Sequence, residues 1–396
     1  GAAVLEFENR AKAFVEVAAI RVEHAGESRR IDMVPPVIVD GSWRGKPGIA
    51  RVRVQVPRGG RIVGVEATNR VTGATLAQAD VHIQKGSGLA GEVLSLPGDV
   101  DPQLAIDGVH VAEGRAVFGP GIVRLEESLT LPPHIDVVFS PGLDLRMGAG
   151  VSLGIYGDLL SRGTEAAPVR ISGGADDAAW GAVFVQGSRI RPRRVVLSHT
   201  VFDGGTGGEN QRTLFTAPFA VHGGIVSLRD SKFLNSRAID GVNLKYVDVD
   251  VRNVFIKGSV DDAFDCDFCT GKIAMSTIED AGGDGFDFSG SDVLIEDNAV
   301  IRCGDKGFSV GEETRAELRE NRVEDCYTGI AVKDLSQAQI RGGELSRVDI
   351  GVSLYLKKPT FGPSRASVED LDLNEVATEF MKDDASSLDW KGRTGA

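Results

Sequence analysis

The chain has 396 residues, and its 44 Lys and Arg against 57 Asp and Glu give a net charge of −13. A composition of 42% hydrophobic and 26% charged residues is ordinary for a folded protein and excludes disorder as the dominant state. The acidic balance argues against nucleic acid as a partner, and no apolar run reaches the roughly 18 residues of a membrane span.

Residues 1–98 are predicted to form a small N-terminal β domain or a cap. Apolar and polar residues alternate in segments 50–56 and 61–65, as in antiparallel strands with one solvated face. Glycine and proline at 86–91 and 97–98 indicate a linker. The pattern leaves open whether this segment folds independently or covers the exposed end of the next domain.

Residues 99–375 are predicted to form one repeat domain, and residues 376–396 a C-terminal cap and tail. Short alternating runs separated by Pro and Gly turns indicate strands from about residue 120 onward. The interval 203–216 is rich in Gly, Asn and Thr, which predicts a projecting loop. Such a loop is either the lip of a substrate groove or a solvated insertion.

A six-residue block repeats from residue 240 onward. Its small second residue, Gly or Ala, stands at 241, 263, 285, 307, 329 and 351, so each step is 22 residues. Apolar and polar residues alternate within each block, and two further alternating runs follow before the next one. At about 3.3 Å per residue, one period traces roughly 73 Å of chain, which suits one three-sided coil. A leucine-rich repeat has a similar period, but its leucine pattern is absent. The sequence therefore predicts an all-β fold, a parallel β-helix solenoid.

The blocks Gly283-Asp-Gly-Phe-Asp-Phe-Ser-Gly290 and Gly304-Asp-Lys-Gly-Phe-Ser-Val-Gly-Glu312 carry a family resemblance. Residues 120–375 resemble the right-handed parallel β-helix (pectin-lyase-like) superfamily, and more narrowly the β-helix domains of bacterial surface or exopolysaccharide-associated proteins. The resemblance implies a right-handed coil and a lyase, hydrolase, epimerase or non-catalytic role on polysaccharides. It also implies a periplasmic, secreted or cell-surface location. Of the pectinase hydrolase motifs, only paired aspartates are matched, by Asp261-Asp262.

The outward positions of the blocks are expected to form two ladders on one face of the solenoid. The first ladder contains Asn243, Asp265, Asp287, Ser309, Ala331 and Ser353, and the second contains Lys245, Asp267, Ser289, Gly311, Lys333 and Tyr355. The turns before the strands add Asp240, Asp262 and Asp284, with Asp261 and Asp305 nearby. Like charges about 5 Å apart repel by a few kcal/mol at an effective dielectric near 20, so the cluster needs a cation, a retained proton or a functional reason.

Two chemistries account for such a cluster. A retained proton would provide an acid and a base for glycosidic cleavage, with Asp265 and Asp287 as the predicted pair and Asp267 as a third catalytic residue. A bound Ca²⁺ would take oxygen ligands from the cluster, foremost Asp261, Asp262 and Asp284. The predicted substrate-binding residues are Asn243, Lys245, Lys306, Lys333 and Tyr355. Alternatively, the turn aspartates only cap turns through side-chain hydrogen bonds.

Two functions follow from these readings. The first is a polysaccharide-active protein that binds an extended glycan along the acidic strand face. The second is a non-catalytic glycan-binding or surface scaffold.

Other charged and sulfur-containing residues allow further predictions. The basic group at 189–194 is a turn face or a grip for an anionic glycan. Cys266 is predicted to be an inward-pointing core thiol, while Cys303 and Cys326 could pair in an oxidising compartment.

Overall fold

The computed structural model describes residues 2–9, 14–39, 48–57, 60–70, 73, 75–76, 106–174, 179–189, 191–210 and 213–391. The described part of the chain is built of strands and contains no helix that could cross a membrane. The chain divides into two compact units, residues 1–100 with 209–213, and residues 101–208 with 214–396.

The first unit contains antiparallel β-structure, which confirms the strand prediction for the N-terminal segment. Its strands are β1 (Ala2–Asn9), β2 (Val15–His24), β3 (Glu27–Val39), β4 (Gly48–Gln55), β5 (Arg61–Asn69) and β6 (Thr75–Leu76). β1 pairs with β4, and the other four strands form a sheet in the order β3-β2-β5-β6. Alternating residues such as Ile20 and Val22 form its buried core. The predicted linker lies outside the described residues.

The chain between residues 106 and 215 opens a solenoid. Its strands are β7 (Val109–Ala112), β8 (Arg115–Phe118), β9 (Gly121–Leu125), β10 (Leu129–Leu131), β11 (Asp136–Phe139), β12 (Leu143–Met147), β13 (Leu153–Ile155), β14 (Leu159–Arg162), β15 (Val169–Gly173), β16 (Val183–Gln186), β17 (Arg193–Ser198), β18 (Thr200–Asp203), β19 (Gly208–Asn210) and β20 (Thr213–Phe215). β7 and β8 form an antiparallel hairpin. From β8 to β18, strands pair in parallel with equivalent strands one coil away. β19 and β20 pair with each other.

The remaining coils contain the regular repeat. Their strands are β21 (Phe219–Arg229), β22 (Lys232–Leu234), β23 (Val242–Arg252), β24 (Phe255–Ser259), β25 (Phe264–Asp267), β26 (Thr270–Ala274), β27 (Thr277–Ala281), β28 (Phe286–Ser289), β29 (Asp292–Glu296), β30 (Ala299–Gly311), β31 (Arg315–Arg319), β32 (Arg322–Lys333), β33 (Gln337–Arg341), β34 (Glu344–Tyr355), β35 (Arg365–Glu369), β36 (Asp372–Lys382) and β37 (Ser387–Lys391). Three parallel strand segments per coil make a right-handed β-solenoid, which confirms the predicted fold.

The strand register confirms the 22-residue period. Val242 pairs with Phe264, Phe264 with Phe286, and Phe286 with Phe308 in successive coils. The inward positions of all six blocks are at most 2% exposed, and the rings of Phe286 and Phe308 stack with centroids 5.2 Å apart. Burial of these apolar ladders is the main favourable term holding the coils together.

Each repeat coil turns three corners at residues with a left-handed backbone. In the coil that begins near residue 262, these are Phe268, Met275 and Asp280, with φ between 54° and 57°. Polar side chains inside one corner satisfy the backbone of the neighbouring coil. There the backbone N–H of Asn298 donates to Oδ1 of Asn321 over 3.0 Å, and its side-chain amide donates to the Ile273 carbonyl over 3.1 Å. Such satisfied polar groups allow the corners to be buried.

Both cysteine pairs form disulfides. Cys303 and Cys326 join neighbouring coils, as their places in the sequence allowed. Cys266 points inward as predicted and is fully buried, but it is bonded to Cys269 and is therefore not a free core thiol. This bridge links β25 to the residue just beyond its corner.

The solenoid continues past residue 375, where the sequence predicted a cap. β36 pairs in parallel with β34, and β37 pairs with β35, so one more coil is added up to Lys391. Its alternating residues are more exposed than those of the coils before it. The final residues, 392–396, lie outside the described part of the chain.

Candidate functional site

The two predicted outward ladders lie side by side in the structure. Asn243, Asp265, Asp287 and Ser309 occupy one row in successive coils, and Lys245, Asp267 and Ser289 occupy the next row. We call this surface the acidic face, defined by Asn243, Lys245, Asp265, Asp267, Asp287, Lys333 and Tyr355. Because equivalent strands are about 4.8 Å apart, the face runs along the solenoid axis.

The other two faces of the solenoid differ from the acidic face in how their charges are balanced. On the third-strand face, Lys257 lies 2.9 Å from Glu279 and Arg302 lies 2.6 Å from Asp280. On the second-strand face, Lys272 pairs with Glu296, and similar pairs continue along it. These side chains are partly exposed to solvent and each charge has an opposite charge beside it, so the charges are balanced at the surface. On the acidic face, by contrast, burial raises the pKa of Asp265 and that of Asp287.

Asp265 is the most strongly perturbed acid of the site. Burial raises its pKa well above the ordinary value, and the charges of Asp267 and Asp240 raise it further. Nδ2 of Asn243 donates hydrogen bonds to Oδ2 of Asp265 and, over 3.2 Å, to Oδ2 of Asp240. Asn243 was predicted to bind substrate, but it is fully buried. Its contacts indicate that it orients Asp265.

Asp267 lies on the same strand as Asp265 and forms an ion pair. Its Oδ2 is 2.8 Å from Nζ of Lys245, and both side chains keep partial exposure. Burial opposes the charge on Lys245, but Asp267 and Asp265 outweigh it, so that the pKa of Lys245 is raised. One face therefore places a carboxyl whose pKa is raised next to a carboxylate that is held in an ion pair.

Asp287 occupies the next coil of the first ladder. Its Oδ1 is buried and accepts no hydrogen bond from the described residues, and Nζ of Lys333 is 3.9 Å away. Burial raises the pKa of Asp287, while the charge of Lys333 acts in the opposite direction. Tyr355 follows Lys333 on the second ladder, is half-buried, and has its pKa raised by burial.

The turn aspartates Asp262 and Asp284 cap the next coil. Oδ1 of Asp262 accepts the backbone N–H of Asp284 over 2.7 Å, and Oδ1 of Asp284 accepts that of Lys306 over 3.0 Å. Lys306 lies among these turns instead of on the ladders, with its Nζ 3.1 Å from Asp284 Oδ1 and also bonded to Asp305. The side chains of Lys306 and Asp284 are only 8% and 7% exposed. Lys306 is therefore the internal cation of the cluster.

A group of three carboxylates could hold a metal ion. Asp262, Asp284 and Asp287 each present an oxygen, and these oxygens lie within 4.8 Å of one another. Oxygen ligands of this kind suit Ca²⁺. Asp261, the remaining predicted ligand, is exposed and lies outside this group. Lys306 already neutralises Asp284, so this group has a cation of its own. Calcium at this place therefore stays a prediction.

Two segments border the acidic face along the axis. Before it, Phe215 stacks on Phe184 with ring centroids 4.0 Å apart, and the Thr216 hydroxyl donates to Asp240. The end of the predicted projecting loop therefore packs onto the first-strand face. Beyond it, Lys358 pairs with Glu312, and its backbone N–H donates to Asp334 Oδ1. Acids next to the face, Asp240 and Glu312, are thus contacted by segments whose positions the repeat alone does not predict.

The basic group at 189–194 lies away from the two ladders. Arg193 is partly buried, and burial lowers its pKa. The backbone N–H of Arg194 donates to Oδ1 of Asp158 over 3.0 Å, and that of Arg191 donates to Ser188 Oγ. Both contacts are made by the backbone and not by the guanidinium groups, so the turn face and the grip for an anionic glycan both stay predictions.

We expect the free energy of unfolding to fall as the pH rises from about 4 to about 7. Burial raises the pKa of Asp240 to about 6 and that of Asp262 to about 7, from an ordinary value of 3.8. Within this window the folded chain retains protons that the unfolded chain has lost, so charging these groups removes stability. Urea denaturation at several pH values measures this slope. The double variant Asp240→Asn, Asp262→Asn should flatten it, and an equally steep slope in that variant would contradict the assignment.

Comparisons with known proteins give one family match and several similar solved structures. Residues 220–359 match a family model described as a right handed beta helix region. A periplasmic alginate epimerase is similar with a TM-score of 0.44 and 11% identity, covering 74% of this chain and 80% of that one. The A-module of a mannuronan C-5 epimerase from Azotobacter vinelandii has a TM-score of 0.39 and 13% identity, covering 72% and 91%.

A third solved structure, the catalytic unit of a thermostable GH87 alpha-1,3-glucanase from Streptomyces thermodiastaticus, has a TM-score of 0.31 and 14% identity, covering 99% of this chain and 89% of that one. A search of curated proteins finds no match to the sequence. The family match and the parallel coils confirm the predicted right-handed β-helix fold, while activity has to be argued from the site itself.

Proposed function

We propose that the protein binds an extended polysaccharide along the acidic face and hydrolyses a glycosidic bond there. The observation that carries this proposal is the adjacency of Asp265, whose pKa is strongly raised, and Asp267, which is ion-paired with Lys245. Glycosidic hydrolysis needs one carboxyl that donates a proton to the leaving oxygen and one carboxylate that acts as base or nucleophile. A carboxyl whose pKa is raised, beside a carboxylate held in an ion pair, meets that need.

The roles differ from the pair expected from the sequence. Asp265 is the general acid, because burial and the neighbouring charges favour its protonated form. Asp267 is the base or nucleophile, since Lys245 balances its charge while both side chains remain partly exposed. Asp287 is the third residue, held near Lys333 one coil further along. The regular coil spacing of about 4.8 Å supports binding of a repeating, extended chain along this face.

The charge of the face favours hydrolysis of a neutral glycan over lyase or epimerase chemistry. A uronate would bring a further carboxylate onto this face, and that carboxylate would need a cation of its own. Lys245 and Lys333 already balance Asp267 and Asp287. Elimination or epimerisation therefore requires an additional cation, and Ca²⁺ at Asp262, Asp284 and Asp287 would supply the charge that neutralises a uronate.

The scaffold reading has one specific observation in its favour. Asp262 and Asp284 each accept a backbone N–H from the next coil, as turn-capping residues do. Capping accounts for these two aspartates but not for Asp265, Asp267 and Asp287, which stand outward on strands where Asp is disfavoured. A periplasmic, secreted or cell-surface location is supported by the two disulfides, which persist in oxidising compartments.

The proposal is tested by incubating the protein with soluble neutral glycans and with polyuronates, with calcium or with a chelator. New reducing ends on a neutral glycan, without an unsaturated product, are the expected result. Unsaturated uronate, seen by its ultraviolet absorbance, would instead indicate a lyase. Absence of any turnover together with a chelator-sensitive melting temperature would support the scaffold.

A further inference from the structure

A buried histidine lies next to Asn243, the side chain that holds Asp265. His222 stands on β21, which pairs in parallel with β23, the strand of Asn243. The histidine is 4% exposed, and its Nε2 is 3.1 Å from Oδ1 of Asn243. Asn243 in turn donates to Asp265 on β25, so the contact connects three successive coils. It reaches from a buried ring to the proposed general acid.

The hydrogen bonds of Asn243 determine which atom of each partner donates. Nδ2 of this amide donates to Oδ2 of Asp265 and, over 3.2 Å, to Oδ2 of Asp240. The amide oxygen, Oδ1, faces His222, and an amide oxygen only accepts hydrogen bonds. Nε2 of His222 therefore carries a hydrogen and donates it to Asn243.

The orientation of this amide decides where Asp265 keeps its proton. Oδ2 of Asp265 accepts an N–H, so in the protonated acid the hydrogen lies on Oδ1. In the reverse orientation, the oxygen of Asn243 would face Asp265, and the acid would donate its proton to that oxygen instead of to a glycan. The N–H of His222 opposes this reversal, because the reversed amide would turn its own N–H groups toward another donor.

The imidazole of His222 is held in place by its neighbours. Its ring packs on that of Phe215, with centroids 4.8 Å apart and an angle of 35° between the planes. Phe215 is itself only 2% exposed. In the strand ladder, His222 lies between Gln186 and Lys245. A buried ring packed in this way has little rotational freedom, so its N–H is directed at Asn243 before any substrate binds.

We propose that His222 is a positioning residue for the general acid, and that its Nε2–H fixes the amide of Asn243 so that the proton of Asp265 stays on Oδ1. The inference rests on the proposed function and deepens it, because it identifies what keeps the acid ready to protonate the leaving oxygen. His222 is too deeply buried to touch the glycan and acts only through Asn243.

Two substitutions separate the N–H of His222 from its packing. His222→Phe keeps an aromatic ring against Phe215 but has no hydrogen to donate to Asn243. His222→Gln loses the ring but keeps a side-chain N–H at a similar distance from the backbone. An effect that His222→Phe shows and His222→Gln reverses therefore comes from the hydrogen bond.

The first measurement is kcat and KM of the full chain over a series of pH values, with laminarin, dextran and hydroxyethyl cellulose as substrates. We expect His222→Phe to lower kcat by about ten- to a hundredfold with KM little changed. The alkaline limb of kcat/KM should move to higher pH, since Asp265 loses a hydrogen bond that favours its charged form. His222→Gln should restore most of kcat and the wild-type limb. The other charges around Asp265 are the same in all three proteins, namely Asp240, Lys245, Asp267 and Asp287.

The second measurement needs no turnover. Urea denaturation of the wild type, His222→Phe, Asp265→Asn and the double variant gives four unfolding equilibrium constants. If Asn243 links the two side chains, the double variant should differ by about threefold or more from the product of the two single effects. Two side chains without such a link would give effects that multiply.

The outcomes separate the inference from the function on which it rests. A wild type that hydrolyses a glycan, with kcat lost in both His222 variants or in neither, overturns the positioning role and leaves the proposed function intact. Unfolding effects that simply multiply overturn the role whether or not any glycan is hydrolysed. If none of the three glycans is hydrolysed while the unfolding effects are coupled, the proposed function fails, and the catalytic role of His222 fails with it.

Discussion

Replacing Asp265 by Asn should lower kcat for glycan hydrolysis by about 10²- to 10⁴-fold, the usual effect of removing a general acid. The carboxamide has the shape of the acid, but it has no acidic proton to donate to the leaving oxygen. The fold should persist, because Asn243 can still donate its hydrogen bond to an oxygen at position 265. Steady-state kinetics on whichever glycan the wild-type protein cleaves, with circular dichroism of both proteins, provide the measurement.

The pH profile distinguishes this role from a structural one. An acid with a raised pKa must be protonated to act, so wild-type kcat/KM should fall on the alkaline side, and the variant should lose that limb. Asp280→Asn is the matched control, since Asp280 lies in the same coil but pairs with Arg302 on another face. Residual activity above a tenth of wild type in Asp265→Asn, or an equal loss in Asp280→Asn, would exclude Asp265 as the acid.

The largest expected loss of stability comes from Lys306→Met. This change removes the cation that contacts Asp284, leaving a carboxylate that is 7% exposed next to other acids. Removal of one partner from a buried ion pair typically costs about 3–5 kcal/mol, because the remaining charge has neither water nor a counterion. Urea denaturation of the variant and the wild type at neutral pH measures the difference in unfolding free energy.

A second substitution tests the cause. Lys257→Met removes the same side chain from an exposed pair with Glu279, where the lysine is 46% exposed, and should leave the unfolding free energy close to that of the wild type. Adding Asp284→Asn to Lys306→Met should recover most of the loss, since no charge is then left unpaired. If both lysine variants lose equal stability, or the double variant recovers nothing, Lys306 does not act by neutralising Asp284.

Much of the fold could be predicted from the sequence because a solenoid is nearly one-dimensional. Each coil contacts chiefly its neighbours, so a strict 22-residue period is enough to align Asp265 with Asp287 and Phe264 with Phe286. Alternation of apolar and polar residues determines which side chains point inward. The repeat did not predict the last coil, 376–391. Its apolar and polar residues alternate more weakly, as they do in a segment that covers the end of a solenoid.

The sequence by itself determined the ladders, and with them which carboxyl groups share a face. Tertiary structure decided how deeply each one is buried, and so which of them has its pKa raised. Asn243 and Lys306 were expected to meet substrate, yet one lies under Asp265 and the other inside the turns. The Tyr246–Phe268 stack and the Cys266–Cys269 bridge also emerged only in three dimensions. The reason is physical, since a repeat specifies neighbours along one axis, whereas burial and pKa depend on every group that approaches from the sides.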